Sequence, residues 1–297
     1  MEKKILGKTG LRVSQIGFGA GHLDKTYDEL GFQAVDELLN TVLDLGINII
    51  DTARSYGKSE ELIGKVLSKK RDSFILSSKT GYGVEGLQDW QAETVIRAVE
   101  SSLKILNTDH IDIMHLHSCD LSILEKGDVI EALERCKREG KIRFIAYSGE
   151  NEALEYAVKT NRFDTIQTSD NLVDQHSRIY FSNTQKENHK LGIIGKRPLA
   201  NFVWKYNSCP DRDDLRSYWL RLEEIKKIIG TASDLKIEEL IYSYLKSHEV
   251  VDTHIIGTSS SIHLKNTIRL IEESILDSEK IKMICDFSEN KKWPGLI

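Results

Sequence analysis

The feature that most limits what this chain can fold into is a regular alternation of two patterns. Apolar stripes at helical spacing and short β-branched runs follow one another nearly to the C-terminus. Residues 33–45 carry Val35, Leu38, Leu39, Val42 and Leu43 on one helical face, and Gly46 closes the pattern as a C-cap. The run 47–51 that follows is short and β-branched, as a buried parallel strand is. The cycle then repeats. A helix over 59–68 opens at Ser59, with Glu60 and Glu61 suited to its first turn. A strand over 73–79 follows, then a helix over 90–106 with Val95, Val99, Ser102, Leu103 and Leu106 on one stripe. Strands over 111–117, 142–147, 165–169, 193–196 and 253–256 are separated by helices over 123–139, 151–160, 176–190, 212–228 and 234–247. Helices over 261–273 and 279–287 close the chain.

With a strand over 15–18 at the front, eight strands alternate with helices. This predicts an α/β chain folded as a (β/α)8 TIM barrel, with a short N-terminal β-hairpin and extra C-terminal helices. The 297 residues suit one such domain spanning 1–297, and no linker or repeat interrupts them. A doubly wound open sheet is the alternative. It would place a glycine-rich turn after the first strand, but the stretch from Gly17 to Gly21 lacks the GxGxxG spacing.

Composition removes several classes of function. A net charge of -5, with only short basic runs such as Lys69-Lys70-Arg71, argues against a nucleic-acid binder. Cys119, Cys136, Cys209 and Cys285 show no CxxC spacing, so neither a zinc cluster nor a dithiol motif is expected. The N-terminus has no stretch apolar enough for a signal peptide, and no segment approaches a membrane span. A cytoplasmic location follows as the expectation.

In a barrel, chemistry sits where strands end and loops begin. Read in order, the strand ends present Asp51, Lys79 and His117, with Tyr56 in the loop after Asp51. These types suit proton donation to a carbonyl oxygen while a hydride reaches its carbon. A tyrosine has an ordinary pKa near 10, too high for easy donation at neutral pH. An ammonium beside it stabilises the phenolate and lowers that value, and Lys79 can supply one. Asp51 can hold the lysine charged, and His117 can orient the substrate oxygen. Each residue also has a structural reading: an aspartate capping a helix, or a tyrosine packing in a loop. His115 and His117 face one side of a strand, so a metal-dependent barrel hydrolase is a lower alternative. No matching His/Asp cluster stands at other strand ends, and no metal is expected. Tyr82, Trp90, Trp204 and Tyr206 are candidate walls of a substrate pocket.

The stretch from Gly46 to Gly57, which contains Asp51-Thr52-Ala53-Arg54-Ser55-Tyr56-Gly57, resembles the Asp-Thr-Ala-x-x-Tyr-Gly stretch of the aldo-keto reductase family. The similarity continues through Ser59–Gly64 and Ile75–Thr80, then Ser102–Leu106, His117 and Gly140–Ile145. Pro198-Leu199-Ala200 and Gly257-Thr258-Ser259 extend it to most of the chain. The resemblance implies a barrel that holds an extended nicotinamide cofactor and reduces an aldehyde or ketone. Tyr56 would be the general acid, assisted by Asp51, Lys79 and His117.

It also implies where the cofactor lies. Gly19, Ala20 and Gly21 would follow the first strand, with Asp51 beside them. Ser148, Gly149 and Gln167 would meet the carboxamide, and Lys196 stands where the family often stacks an aromatic ring. Pro198 and Leu199 would line the pyrophosphate path. Gly257, Thr258 and Ser259 would form the phosphate turn at a helix start, with His263, Asn266 and Thr267 beyond it. The family's habit favours NADP(H) over NAD(H), with Lys265 and Arg269 as further cations near that end.

Several positions depart from the family pattern. Gly149 replaces an asparagine, and Gly257 and His263 stand where many members carry Lys and Arg. Separately, a redox-sensing or regulatory nicotinamide-binding subunit is the main alternative, since potassium-channel β subunits resemble the same family. The expected partner is a small-molecule carbonyl substrate, with no nucleic acid and no membrane. The short tail from Asp286 predicts an open pocket.

Overall fold

The computed structural model describes residues 1–181, 191–230, 234–247 and 250–296. Eight parallel strands close into a barrel: β3 (Ile16–Gly19), β4 (Ile49–Asp51), β5 (Ile75–Thr80), β6 (Ile111–His117), β7 (Ile142–Ser148), β8 (Thr165–Ser169), β9 (Gly192–Lys196) and β10 (Thr253–Gly257). Each pairs with its sequence neighbour, and β10 closes on β3 through Ile255↔Gly17 and Gly257↔Gly19. An antiparallel pair, β1 (Lys3–Ile5) and β2 (Arg12–Ser14), precedes them. The (β/α)8 architecture read from the alternation is the observed one.

Side chains alternate across each strand, so every second residue enters the barrel. At the N-terminal end the inward residues are apolar. Ile49, Ile75, Ile113, Ala146, Ile194 and Ile255 form one buried cluster. The hairpin plugs it, because Leu6, Leu11 and Val13 belong to the same cluster. The plug fits only because Gly7, at φ +46, brings backbone against backbone, and a Cβ there would lie 2.2 Å from the Gly192 nitrogen. Outward residues such as Phe18, Ile50, Leu76, Met114, Leu116 and Ile166 pack beneath the helices in a separate, larger core.

Most helices fall where periodicity places them, including Phe32–Asp44, Ser59–Leu67, Ala92–Leu106 and Ser261–Glu273. Two differences have physical causes. An additional helix, Leu23–Leu30, precedes Phe32–Asp44 and stops at Gly31, at φ +81. The helix expected over 123–139 is two helices, Leu121–Lys126 and Asp128–Arg138, because Gly127 takes a left-handed conformation (φ 84) that no α-helix continues through. The helix expected over 176–190 lies mostly outside the described residues.

The last residues do not leave the surface free. Leu296 donates its N–H to Asp174 at 3.0 Å, and its carbonyl accepts from Arg197 at 3.0 Å. Arg221 donates to the Pro294 carbonyl at 2.6 Å, and Gly295 donates to Asn151 at 2.8 Å. The tail is thereby tied to the loops after β7, β8 and β9.

Candidate active site

At the C-terminal end of the barrel the inward positions turn polar. Asp51, Ser77, Lys79, His115, Ser148 and Gln167 are all buried there. Asp51 and Lys79 meet because β4 and β5 are adjacent, with Asp51 in register with Ser77. Lys79 Nζ donates to Asp51 Oδ2 at 2.6 Å and to the Thr52 carbonyl at 2.8 Å. Burial alone would raise the Asp51 pKa, but the Lys79 ammonium and the Ser77 hydroxyl, at 2.7 Å from Oδ1, hold it below the ordinary carboxylate value. Burial likewise opposes the Lys79 charge, yet Asp51 and the Tyr56 phenol keep its pKa above that of a free lysine. Both groups are therefore ionised at neutral pH.

Tyr56 lies in the turn that joins β4 to the Ser59–Leu67 helix. Its N–H donates to the Ala53 carbonyl at 3.0 Å, and its carbonyl accepts from Ser59 N at 2.9 Å. The Ser59 hydroxyl lies 2.9 Å from Thr52 Oγ1 and donates to the Ala20 carbonyl at 2.9 Å, which fixes the turn against the loop after β3. As a result the Lys79 ammonium stands 4.9 Å from the Tyr56 ring centroid. His117 completes the group, its ring edge-on to Tyr56 with centroids 5.9 Å apart. Burial, reinforced by the charges of Lys79 and Lys196, lowers the His117 pKa to about 3, so its imidazole is neutral at pH 7.

His115, two residues earlier, is enclosed in the barrel. Its Nε2 lies 3.0 Å from Ser77 Oγ. The serine proton is directed to Asp51, so His115 Nε2–H is the donor in that contact. Among the described residues, no group of three His, Cys, Asp or Glu is placed to hold a metal ion.

These groups open onto a cleft of about 870 Å3 that runs from Tyr56, Lys79 and His117 along the ends of β7, β8 and β9 to the start of the Ser261–Glu273 helix. Ser148 Oγ donates to Gln167 Oε1 at 3.0 Å, leaving Gln167 Nε2 buried in the cleft wall without a partner. Such a donor is costly unless a ligand accepts from it. Lys196 lines the cleft at the end of β9 with its ammonium 3.1 Å from Glu150 Oε1. Glu150 is buried and also accepts from Thr168 Oγ1 at 2.5 Å and from Ser169 N at 2.8 Å. Burial lowers the Lys196 pKa more than Glu150 restores it.

Gly19, Gly21, Pro198 and Leu199 line the middle of the cleft, and Gly257, Thr258, Ser259, His263, Asn266 and Thr267 line its far end. Ala20 and Gly149 are buried and do not line it. Gly149 has a clear reason to be glycine. A Cβ there would lie 2.2 Å from the Tyr147 hydroxyl, which donates to the Cys119 carbonyl at 3.0 Å. Lys265 and Arg269 lie outside the lining as well, and Arg269 pairs with Glu273 at 2.6 Å. Instead His22 and Lys25, from the unanticipated helix region, line the cleft, and His22 packs beside Gly257. Of the aromatic candidates, Tyr206 lines the cleft while Trp204 is core. Tyr82 and Trp90 pack on each other beside His117. Burial pushes the Cys119 thiol up to about 12, so it carries no reactive thiolate at neutral pH.

A closed parallel barrel with a buried Lys–Asp pair, a tyrosine and a neutral histidine at the mouth of a long cleft defines a barrel enzyme of the oxidoreductase class. The Aldo/keto reductase family model matches residues 15–289, and the chain belongs to that family. It is similar to an L-galactose dehydrogenase of Arabidopsis thaliana, 28% identical, covering 100% of this chain and 98% of the relative. An aldo-keto reductase of Bacillus halodurans in its holo form superposes with a TM-score of 0.80 at 27% identity, covering 96% of both chains. A rice protein named "Probable voltage-gated potassium channel subunit beta" is 32% identical over 69% of this chain and 63% of its own length. The family uses nicotinamide cofactors on small-molecule carbonyl compounds, and this chain is an oxidoreductase. No helix among the described residues is long and apolar enough to cross a membrane.

Proposed function

We propose that the protein reduces an aldehyde or ketone to an alcohol with NADP(H), Tyr56 acting as general acid. The observation that carries this reading is the charged Lys79 ammonium, locked by Asp51 at 2.6 Å and standing 4.9 Å from the Tyr56 ring centroid. A cation so placed favours the phenolate that remains once Tyr56 has released its proton. A bound reduced nicotinamide supplies the hydride. The chain's own residues do the rest. Tyr56 delivers a proton to the carbonyl oxygen, Lys79 stabilises the resulting phenolate, and Asp51 keeps the lysine charged. His117, being neutral, donates a hydrogen bond to the same oxygen and orients it.

The residues present fit the cofactor. The partnerless Gln167 Nε2 suits a carboxamide oxygen, with Ser148 holding the glutamine in place. At the far end, His22, Lys25 and His263 line the cleft beside the N-terminus of the Ser261–Glu273 helix, where a 2′-phosphate would gain from the Lys25 ammonium, the imidazoles as hydrogen-bond partners and the positive end of the helix dipole. This supports NADP(H) over NAD(H). A regulatory role such as the rice relative's name suggests would need the same binding cleft but no intact proton donor, and the Lys79–Tyr56 arrangement favours catalysis. The test is NADPH oxidation over a panel of aldehydes and ketones, with dissociation constants measured for both cofactors. Turnover of at least one carbonyl and tighter NADP binding are expected. Tight cofactor binding with no turnover across the panel would favour the sensing role, and equal affinity for NAD and NADP would remove the phosphate preference.

A further inference from the structure

The loop after β5 brings a second tyrosine to the active site. Tyr82 Oη lies 2.8 Å from His117 Nδ1, and the two rings stack with centroids 5.6 Å apart at 22°. The contact is built into the loop. The Trp90 ring packs edge-on against Tyr82, 5.6 Å between centroids, and its backbone N–H donates to the Gly81 carbonyl at 2.7 Å. Gly81, at φ +135, is what lets the indole approach, since a Cβ there would lie 2.1 Å from the Trp90 ring. Gly83 N donates to Asp89 Oδ1 at 3.0 Å and closes the loop.

We propose that Tyr82 is a positioning residue that fixes the tautomer of His117, by donating its phenolic proton to Nδ1 and so keeping the ring proton on Nε2, the nitrogen left for a ligand in the cleft. The inference rests on the role given to His117 above. A neutral imidazole has one N–H and can place it on either nitrogen. With the proton on Nδ1, the ring would present a bare lone pair to a carbonyl oxygen, and two acceptors would face each other. With the phenol donating to Nδ1, the Nε2–H faces the cleft and can donate. The other neighbour of Tyr82 Oη is the Ser55 hydroxyl at 3.3 Å. Ser55 is there an acceptor that competes for the phenol proton, but the imidazole nitrogen is the stronger base and, at 2.8 Å, the nearer of the two, so the proton goes to His117. Burial keeps the ring neutral, reinforced by the charges of Lys79 and Lys196 and opposed by Asp51.

The test is the tautomer itself, read by nitrogen NMR of the full chain labelled with 15N-histidine, with the His117 signals assigned from a His117→Gln spectrum. The wild-type protein is expected to show the Nε2–H form, and Tyr82→Phe a shift toward the Nδ1–H form. A wild-type ring protonated on Nδ1, or a Tyr82→Phe ring unchanged from wild type, would overturn the proposal. Kinetics give a second reading. Tyr82→Phe should lower kcat about tenfold, the scale of one well-placed neutral hydrogen bond. It should leave cofactor affinity within about twofold. In a His117→Gln background it should add nothing, because the two changes remove one linked function. Additive losses in the double variant would count against it. If His117→Gln alone turned over normally, the reaction role of His117 would fall, while the NMR result would still decide the Tyr82 contact.

Discussion

The two ends of this barrel are lined by the same eight strands, yet they behave as different materials. Along β5, Ile75 enters the interior at the N-terminal end and Lys79 at the C-terminal end, four residues on. Along β6 the sequence runs Ile113, His115, His117, and along β9 it runs Ile194, Lys196. The lower end is apolar, sealed by the hairpin, and holds the barrel together. The upper end buries charges and neutral imidazoles that packing alone would never select. Within the barrel interior, apolar packing lies below and chemistry above, and each strand carries both along one inward-facing row.

The sharpest way to break the upper end is Lys79→Met. It leaves the Asp51 carboxylate buried without its cation. Turnover should fall by at least about a hundredfold. The variant should lose about 3–5 kcal/mol of stability at pH 7, the cost of stranding one partner of a buried pair. The pH dependence has a definite sign. In the native protein the Asp51 pKa is depressed, so its contribution to stability is present above the unfolded carboxylate value and lost as pH falls through the folded one. Without Lys79, burial raises that pKa, so the deficit relative to wild type should shrink as pH falls toward 4. Denaturant titrations of both proteins across pH check this.

At the lower end, Ile113→Ala should cost about 2–5 kcal/mol through the cavity it leaves. Its kcat should stay near wild type, because Ile113 contacts the buried apolar layer and not the cleft. A large loss of kcat in a protein that remains folded would show that the two ends are not separable.

The neutral histidines sharpen the comparison at acid pH. Burial lowers the pKa of both His115 and His117 to about 3. The unfolded chain binds these two protons below about pH 6.5, whereas the native chain does not, so stability falls as pH drops. Each histidine should account for about 2 kcal/mol of lost stability by pH 5. His117→Gln should flatten the acid limb of a stability–pH curve by one proton, and an unchanged limb would contradict its burial as a neutral ring.

The smallest effect is expected outside both ends. Arg269→Ala removes an exposed pair with Glu273 and should change stability by less than about 0.5 kcal/mol. NADP(H) affinity should not change, since Arg269 does not line the cleft.

Much of this was legible in the sequence because the period of the pattern encodes the architecture. Strand boundaries matched over 111–117 and 165–169, whereas the β-branched run 47–51 forms a strand only from Ile49. Asp51, Tyr56, Lys79 and His117 could be picked out as candidates because each stands at or just past a strand end, and the structure brings them together. What escaped depended on contacts between distant segments. Nothing local says that Tyr82 reaches His117, although its place three residues after Lys79, between Gly81 and Gly83, was the available signal. Helical position does not bring Lys265 and Arg269 into the cleft lining, whereas His22 and Lys25 reach it from the N-terminal end of the Leu23–Leu30 helix, a segment too short to show a strong period. A glycine inside an apolar stripe does not announce a left-handed residue, so the break at Gly127 shows only in the backbone. That position 149 has no room for a side chain is visible only in three dimensions, where the Tyr147 hydroxyl lies 2.2 Å from the place of a Cβ.

The central claim is that Tyr56 gives up the proton and Lys79 makes this easy. Its most direct test is Tyr56→Phe, with kcat measured on a carbonyl that the wild-type protein reduces and cofactor affinity measured in parallel. The account predicts a fall in kcat of at least about a hundredfold with cofactor affinity within about twofold of wild type. Near-normal turnover by the phenylalanine variant would contradict it.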